Sequence, residues 1–354
     1  MDIRDLPSPA LVVDLATFDA NVAAADQLLH GMSKRIRPHV KTHRTPALAL
    51  RQLTTAAVGL TCATVGEAEA VVAAGARDVL IANEIVDHIK LGRLATLAQE
   101  ADVCVAVDAL EAAEALGAAA RTAGTTVAVL VDIDVGLGRC GVSGPAEAAT
   151  LGAVVERTPG LRLAGIMGYE GRRRAADETR SDVIRGAYAL LAESVDAFER
   201  AGLPVETVSS AGTSTLPEAI ADSVITEVQA GTYALMEADL SGLGLPFRPA
   251  VTVVSTVISR NHERAVVDSG RKSIASDYGA PVPLATGARV TGFNEEHTIL
   301  QFAGPDVRPP ALGDRMSLRP GHVRLTFNLH DTVWLASPDG SVEPVPVVAR
   351  GRSW

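Results

Sequence analysis

DVLIANEIVDHIKLGRLATLAQEADVCVAVDALEAAEALGAAARTAGTTVAVLVDID, residues 78–134, holds three short β-branched runs with two longer Ala- and Leu-rich stretches between them. Runs of this length that are apolar at nearly every position read as strands covered on both faces. Strands that alternate with helical stretches form parallel βαβ units. Upstream the unit recurs as IRPHVK (36–41) and VGLTCAT (58–64); downstream it recurs as LRLAGIMGY (161–169), VETVSS (205–210) and VITEVQAG (224–231). The helical stretches GEAEAVVAAGA, ALEAAEALGAAARTAG and SDVIRGAYALLAESVDAFERAG end in Gly or Gly-containing turns, a common helix C-terminus. Eight strand-then-helix units predict an α/β fold, a (β/α)8 TIM-type barrel. An open doubly wound sheet is the rival on pattern alone.

After Pro246 the texture changes. PAVTVVSTVISR, ERAVVDSG, ARVTGF, EHTILQFAG, GDRMSL, HVRLTF and TVWLAS are short runs between turn residues, which predicts a C-terminal all-β domain. The Gly- and Pro-rich GLGLPFRP (242–249) is the natural joint, giving a barrel over residues 1–244 and a β-rich domain over 245–354. ALVVDL near residue 11 can add a strand, so residues 1–15 can join the second domain.

Bulk composition narrows the function. The chain has 354 residues, 47% hydrophobic and 21% charged, with a formal net charge of -10 and no basic run. That balance argues against nucleic acid or an anionic membrane surface as partner. No stretch approaches the ~20 apolar residues of a membrane span. The N-terminus, MDIRDLPSPALVVD, places acids and prolines where a signal peptide needs an apolar segment, so a cytoplasmic protein is expected. Cys62, Cys104 and Cys140 are widely spaced with no CxxC, which suits reduced thiols better than zinc or disulfides. Aromatics are only 3%, leaving Ala, Val, Leu and Ile to build the core.

The chemistry of such a barrel sits at the C-terminal ends of its strands. In RIRPHVKTHRTP (35–46) His39, Lys41 and His43 recur at every second position, one face of a strand. On its own this is a basic turn. At the end of a first barrel strand, Lys41 points into the mouth as an amine whose lowered pKa suits a Schiff base. The other strand ends offer Thr64 and Glu67, Asn83, Asp108, Asp132 to Arg139, Tyr169 to Arg172, Ser209 to Thr213, and Gly231, Thr232 and Tyr233. GLGRCG (136–141) matches the dinucleotide fingerprint but follows the fifth strand and encloses an arginine, so Arg139 reads as a cation aimed at an anionic cofactor atom. SSAGTST (209–215) and AGTYALME (230–237) follow the last two strands, where small hydroxyl residues and glycines can present N–H groups to a phosphate. An inward lysine beside a phosphate site suggests pyridoxal phosphate.

PHVKTH, DIDVGLGRCGV, GYEG, SAGTST, EVQAGTY and VVDSGRKSIASDYG, in this order, resemble the D-threonine aldolase and D-serine dehydratase-like branch of the alanine racemase-fold enzymes. The resemblance implies a pyridoxal 5'-phosphate barrel and a β-domain, assembled as a homodimer with active sites at the interface. It makes Lys41 the Schiff-base lysine, sets Arg139 against the cofactor's phenolic oxygen, and places Tyr169, Ser210, Gly212, Thr213, Gly231, Thr232 and Tyr233 around the cofactor. The implied substrate is a small D- or β-hydroxy amino acid, cleaved by retro-aldol chemistry or dehydrated. A metal-independent racemase or epimerase, with Tyr278 or a partner-subunit residue as second acid/base, and a non-catalytic pyridoxal phosphate-binding protein are the alternatives.

Two positions depart from the family's pattern. Metal-dependent members carry a histidine followed two residues later by Cys or Asp, and this chain has RPGHVRLTFNLHD (319–331), with His322 followed by Arg324. A guanidinium cannot ligate a metal. His330 and Asp331 lack the two-residue spacing that shares one strand face. The expectation is therefore no divalent metal, with His322 the residual ligand if one is retained. After GYEG the family usually has a histidine, and here Arg172 stands there. Arg172, His322 and Arg324 join Lys41 as the expected catalytic residues, the arginines acting as fixed cations on a carboxylate or alkoxide.

Overall fold

The computed structural model describes residues 2–57, 59–304 and 307–354. Val58, the first residue of the VGLTCAT run, lies outside them. The chain divides into two compact units. One comprises Ala25–Lys41, Pro46–Gly231 and Arg352–Trp354; the other comprises Met1–Ala24, Thr42–Thr45 and Thr232–Gly351.

Strand β1 (Ala10–Asp14) and helix α1 (Leu15–Leu29) open the chain. The repeating unit follows as β2 (Arg35–Ile36), α2 (Pro46–Arg51), β3 (Leu60–Cys62), α3 (Val65–Ala73), β4 (Asp78–Glu84), α4 (His88–Leu97), β5 (Asp102–Val107) and α5 (Leu110–Ala123). It continues as β6 (Val127–Asp132), α6 (Pro145–Arg157), β7 (Leu161–Met167), α7 (Arg180–Arg200), β8 (Thr207–Ser210), α8 (Leu216–Ala221) and β9 (Glu227–Val228). These eight strands form one parallel sheet in the order β2-β9-β8-β7-β6-β5-β4-β3. Its two edges meet through a parallel bridge between His39 and Thr61, where the Thr61 N–H donates to the Pro38 carbonyl at 2.9 Å. The ring closes, and the open doubly wound alternative falls away.

Side chains alternate along each strand. Leu80, Ala106, Leu130, Ala164 and Met167 come together as one apolar cluster, backed by Ala82, Cys104 and Ala128. Ala, Leu, Met and Cys side chains fill this interior, in keeping with the low aromatic content. At the N-terminal end the lining turns charged. A cavity of about 500 Å³ there is bordered by Arg37, Asp78 and Glu227 among others. Arg37 donates from Nε to Glu227 at 2.8 Å and from Nη1 to Asp78 at 2.5 Å, tying β4 and β9 to the residue that follows β2. Its side chain is 12% exposed and that of Glu227 is 8% exposed.

The other unit is built on a nine-stranded sheet. Its later strands are β10 (Val251–Arg260), β11 (Arg264–Val267), β12 (Val282–Pro283), β13 (Ala288–Phe293), β14 (Thr298–Phe302), β15 (Arg315–Arg319), β16 (Thr332–Ala336) and β17 (Val342–Pro346). β1 lies inside this sheet, antiparallel to β10 and parallel to β16. The order runs β13-β14-β11-β10-β1-β16-β17, with β15 also on β10 and β12 on β15. HVRLTF, read as a strand from its pattern, is instead a one-turn helix, α9 (Val323–Phe327). Pro320 and Gly321 end β15, and His322 takes the N-cap position, its carbonyl accepting from the Thr326 N–H and hydroxyl at 3.1 and 2.7 Å.

Arg37→Ala strands the Glu227 carboxylate among buried atoms. It should lower the free energy of unfolding by about 3 kcal/mol at neutral pH. Urea denaturation measures this, and a loss below about 1 kcal/mol would place the pair among weak surface bridges.

Candidate active site

The C-terminal strand ends form a rim. The Arg37 N–H donates to the Val228 carbonyl at 2.8 Å and the His39 N–H to the Ala230 carbonyl at 3.2 Å, which keeps the chain extended as far as His39. It then tightens into a 3-10 turn, Val40–Thr42, which carries Lys41. The expected single strand face for His39, Lys41 and His43 is therefore not formed. His43 is 0% exposed, belongs to the other unit, and packs edge-on against Phe327 with centroids 6.3 Å apart. Its Nδ1 accepts from the Thr45 N–H at 3.1 Å.

Past β6 the chain makes a pinned loop. Val142 donates its N–H to the Asp132 carbonyl at 3.0 Å, and the Asp134 carboxylate accepts from the Gly136 and Gly138 N–H groups at 3.0 and 2.9 Å. Gly141 sits at φ 108°, and a Cβ there would lie 2.3 Å from Asp134 N, so only glycine closes the neck. The loop exposes Arg139, whose guanidinium carbon stands 5.8 Å from the centroid of the Tyr169 ring.

The turn after β8 is organised from β7. Glu170 is 0% exposed, and the Ser210 hydroxyl donates to its Oε2 at 3.2 Å. The Ala211 N–H and Thr215 hydroxyl also bond its carboxylate, yet burial dominates and pushes the Glu170 pKa up. Arg173 binds the same turn, its N–H donating to Ser214 Oγ at 3.1 Å and its Nη2 to the Glu170 carbonyl at 2.6 Å. Half-buried Arg172 lies on this segment. Ala211 is held at φ 64°, a strained value for a residue with a Cβ, with Gly212 and Thr213 just beyond. Gly231 ends the barrel unit; Thr232 and Tyr233 open a 3-10 turn of the other unit, where Tyr233 is 1% exposed with its ring 5.5 Å from Phe247.

The other unit gathers His322 and Arg324 with three residues not singled out together from sequence: Glu237, Asp277 and Tyr278. The His322 ring stacks on Tyr278 at 4.2 Å, and its Nδ1 lies 3.4 Å from Asp277 Oδ2. Arg324 donates from Nη2 to the Tyr278 hydroxyl at 3.0 Å, and its Nε lies 3.8 Å from the buried Glu237 Oε1. That oxygen also accepts the Val323 N–H at 3.0 Å. Burial lowers the His322 pKa despite Glu237, and Arg324 lowers it further, so the imidazole is neutral at pH 7.

Comparison with known proteins gives the lineage. The alanine racemase N-terminal domain model matches residues 13–239, and the putative serine dehydratase domain model matches 250–336. The chain belongs to the D-threonine aldolase and D-serine dehydratase-like branch of the alanine racemase-fold family. A D-threonine aldolase of an Arthrobacter species is 36% identical over 98% of this chain and 93% of its own length. A D-threo-3-hydroxyaspartate dehydratase of a Delftia species is 30% identical over 96% of both. The crystal structure of D-threonine aldolase from Filomicrobium marinum superposes with a TM-score of 0.94, at 37% identity, covering 100% of this chain and 98% of that one. Family membership makes the chain an enzyme of the pyridoxal phosphate-dependent lyases.

The rim's donor set fits the family's cofactor. It offers the Lys41 amine, the exposed Arg139 guanidinium, and a hydroxyl- and glycine-rich turn whose strained Ala211 is held in shape from behind by Glu170. The family's divalent cation fits less well. The position two beyond His322 holds a guanidinium, and the buried Glu237 Oε1 faces that guanidinium at 3.8 Å. Among the described residues, the one group of three His, Cys, Asp or Glu ligand atoms within 4.8 Å is Glu84, Asp108 and Cys140, in the barrel unit. No helix of the described residues is long and apolar enough to cross a membrane.

Glu170 provides a test of this geometry. Its folded pKa lies above the ordinary 4.5, so its contribution to stability is complete below that pH and is lost as pH rises through the folded value. Glu170→Gln removes the titration. The stability of wild type relative to the variant should fall as pH is raised from about 4.5 to about 8, followed by urea denaturation. A pH-independent difference would mean that the carboxyl titrates as in an unfolded chain.

Proposed function

We propose that this protein is a pyridoxal phosphate-dependent retro-aldol lyase acting on a small D-β-hydroxy amino acid, and that it works without a divalent metal. The observation that carries the reading is the rim placement of Lys41, with Arg139 and the Ser210–Thr213 turn on the ends of strands of the same closed barrel. Lys41 would hold the cofactor through its amine. Ser210, Gly212, Thr213 and Gly231 would receive the phosphate, and Arg139 would meet the phenolic oxygen. Bound there, the cofactor supplies an electron sink for the bonds at the substrate's Cα. Retro-aldol cleavage also needs a base for the β-hydroxyl proton and a counter-charge for the oxygen that loses it. We assign these tasks to the neutral His322 imidazole and to Arg324, whose orientation is set by Glu237 and Tyr278. Arg172 is assigned to the substrate carboxylate.

Dehydration of a β-hydroxy substrate is the second reading, favoured by the full-length similarity to a hydroxyaspartate dehydratase. A homodimer in the cytoplasm, with active sites completed at its interface, is the assembly this reading carries. The three free cysteines suit a reducing compartment.

Lys41→Ala should remove the visible absorbance of the bound cofactor and lower turnover of D-threonine or D-3-hydroxyaspartate by about 10³-fold or more. Absorbance that survives the substitution would unseat Lys41. Exhaustive chelation should leave the aldehyde-forming rate unchanged. Activity that vanishes on chelation and returns with manganese or zinc would restore the metal to the mechanism.

Arg324→Ala should lower kcat by about 10²-fold or more while changing cofactor affinity far less. Equal losses in both would reassign Arg324 to cofactor binding.

A further inference from the structure

Three strand ends of the barrel raise carboxylates toward its C-terminal rim. Glu84 closes β4, Asp132 closes β6, and Asp108 directly follows β5. By alternation Asp108 continues the row of Cys104 and Ala106, and Asp132 continues the row of Ala128 and Leu130, the side chains of the interior apolar cluster. Glu84 likewise continues the row of Leu80 and Ala82, just past a shift in the β4–β5 register between Ile81 and Glu84. Glu84 thereby meets Asp108 and Cys140 within 4.8 Å and hydrogen-bonds Asp132, which is only 4% exposed.

Two carboxylates in hydrogen-bond contact need a proton between them, because ionised carboxylates only accept. Burial first, then the charge of Glu84 and the bond to it, push the Asp132 carboxyl up to about 8. Asp108 adds to that effect, and Arg139 is the cation opposing it. Cys140 stays a thiol, pushed up to about 11 by burial and its bond to Glu84. A protonated thiol and a shared proton are the wrong state for cation ligands. The Arg139 loop begins at Asp132 itself, is closed at its neck by the backbone bond from the Val142 N–H to the Asp132 carbonyl, and is tied to the cluster by the Gly141 N–H on Asp108 Oδ2 at 3.0 Å.

We propose that Asp132 and Glu84 share one proton and act as a positioning pair for Arg139, directing its guanidinium at the cofactor while the proton is held and drawing it back toward the rim when the proton is lost. On deprotonation the shared O–H bond breaks, its proton passes to solvent water or hydroxide, and two carboxylates beside Asp108 face one guanidinium. The inference rests on the cofactor reading above for what Arg139 meets; the shared proton itself does not.

The test uses the full-length protein. Infrared difference spectra between about pH 6 and about pH 9.5 should show loss of one protonated-carboxyl band in wild type, centred near 8, no such loss in Asp132→Asn, and a loss displaced to lower pH in Glu84→Gln. In the cofactor-loaded protein, the alkaline transition of the visible absorbance should move by about one pH unit or more in both variants. Asn and Gln mimic the neutral acid, so a purely structural role would leave that transition in place. If Asp132→Asn does not fold, Glu84→Gln carries the same comparison. Absence of the wild-type band, or its unmoved persistence in both variants, overturns the pair. A band that behaves as expected with identical absorbance titrations overturns its action on Arg139. A band present with no cofactor absorbance at any pH keeps the pair and overturns the cofactor reading.

Discussion

Closure of the barrel depends on a buried guanidinium. The first and last strands of the ring, β2 and β9, have two residues each, too few for a parallel ladder to define the seam unaided. Arg37 supplies what the ladder lacks, binding Glu227 on β9 and Asp78 on β4 with its planar fork. Two residues later His39 makes the closing bridge to Thr61, and two residues after that Lys41 emerges on its turn. The position of the Lys41 amine is thus set from below, by charge held in the floor of the barrel.

The eight barrel strands were legible because each is a short apolar run bounded by turn residues, and parallel strands covered on both faces leave that trace. Lys41 was legible as a rim residue for the same reason. Its turn was not, since a two-residue period persists through PHVKTH whether or not the backbone stays extended. α9 was missed because a single helical turn is shorter than the period that announces a helix. The pairing of Asp132 with Glu84 joins residues about two βα units apart, and neighbours in a ring of strands carry no local signature. Their one trace in sequence is that each acid ends its strand.

The two units handle charge in different ways. In the barrel, Arg139 is exposed on a loop closed by a backbone bond at its neck and held there by the Asp108 carboxylate. In the other unit, Arg324 is fixed between an aromatic face and a buried carboxylate, and the stacked His322 stays neutral beside it. One cation is presented on a loop and the other is locked in place. That division follows from where each sits, since a loop on a barrel rim tolerates displacement and a residue packed beneath a ring does not.

β1 has a consequence for biosynthesis. Its residues Ala10–Val13 are buried and registered on one side with Val251–Val254, while Leu11–Asp14 register on the other side with Val333–Ala336. A ribosome releases this strand before either of its neighbours, both of which follow the whole barrel segment. Domains completed in order of synthesis bury their apolar segments as they appear, and this one cannot. ALVV therefore stays without either sheet neighbour in nascent chains until residues 251–254 emerge, and keeps one open edge until residue 336 does.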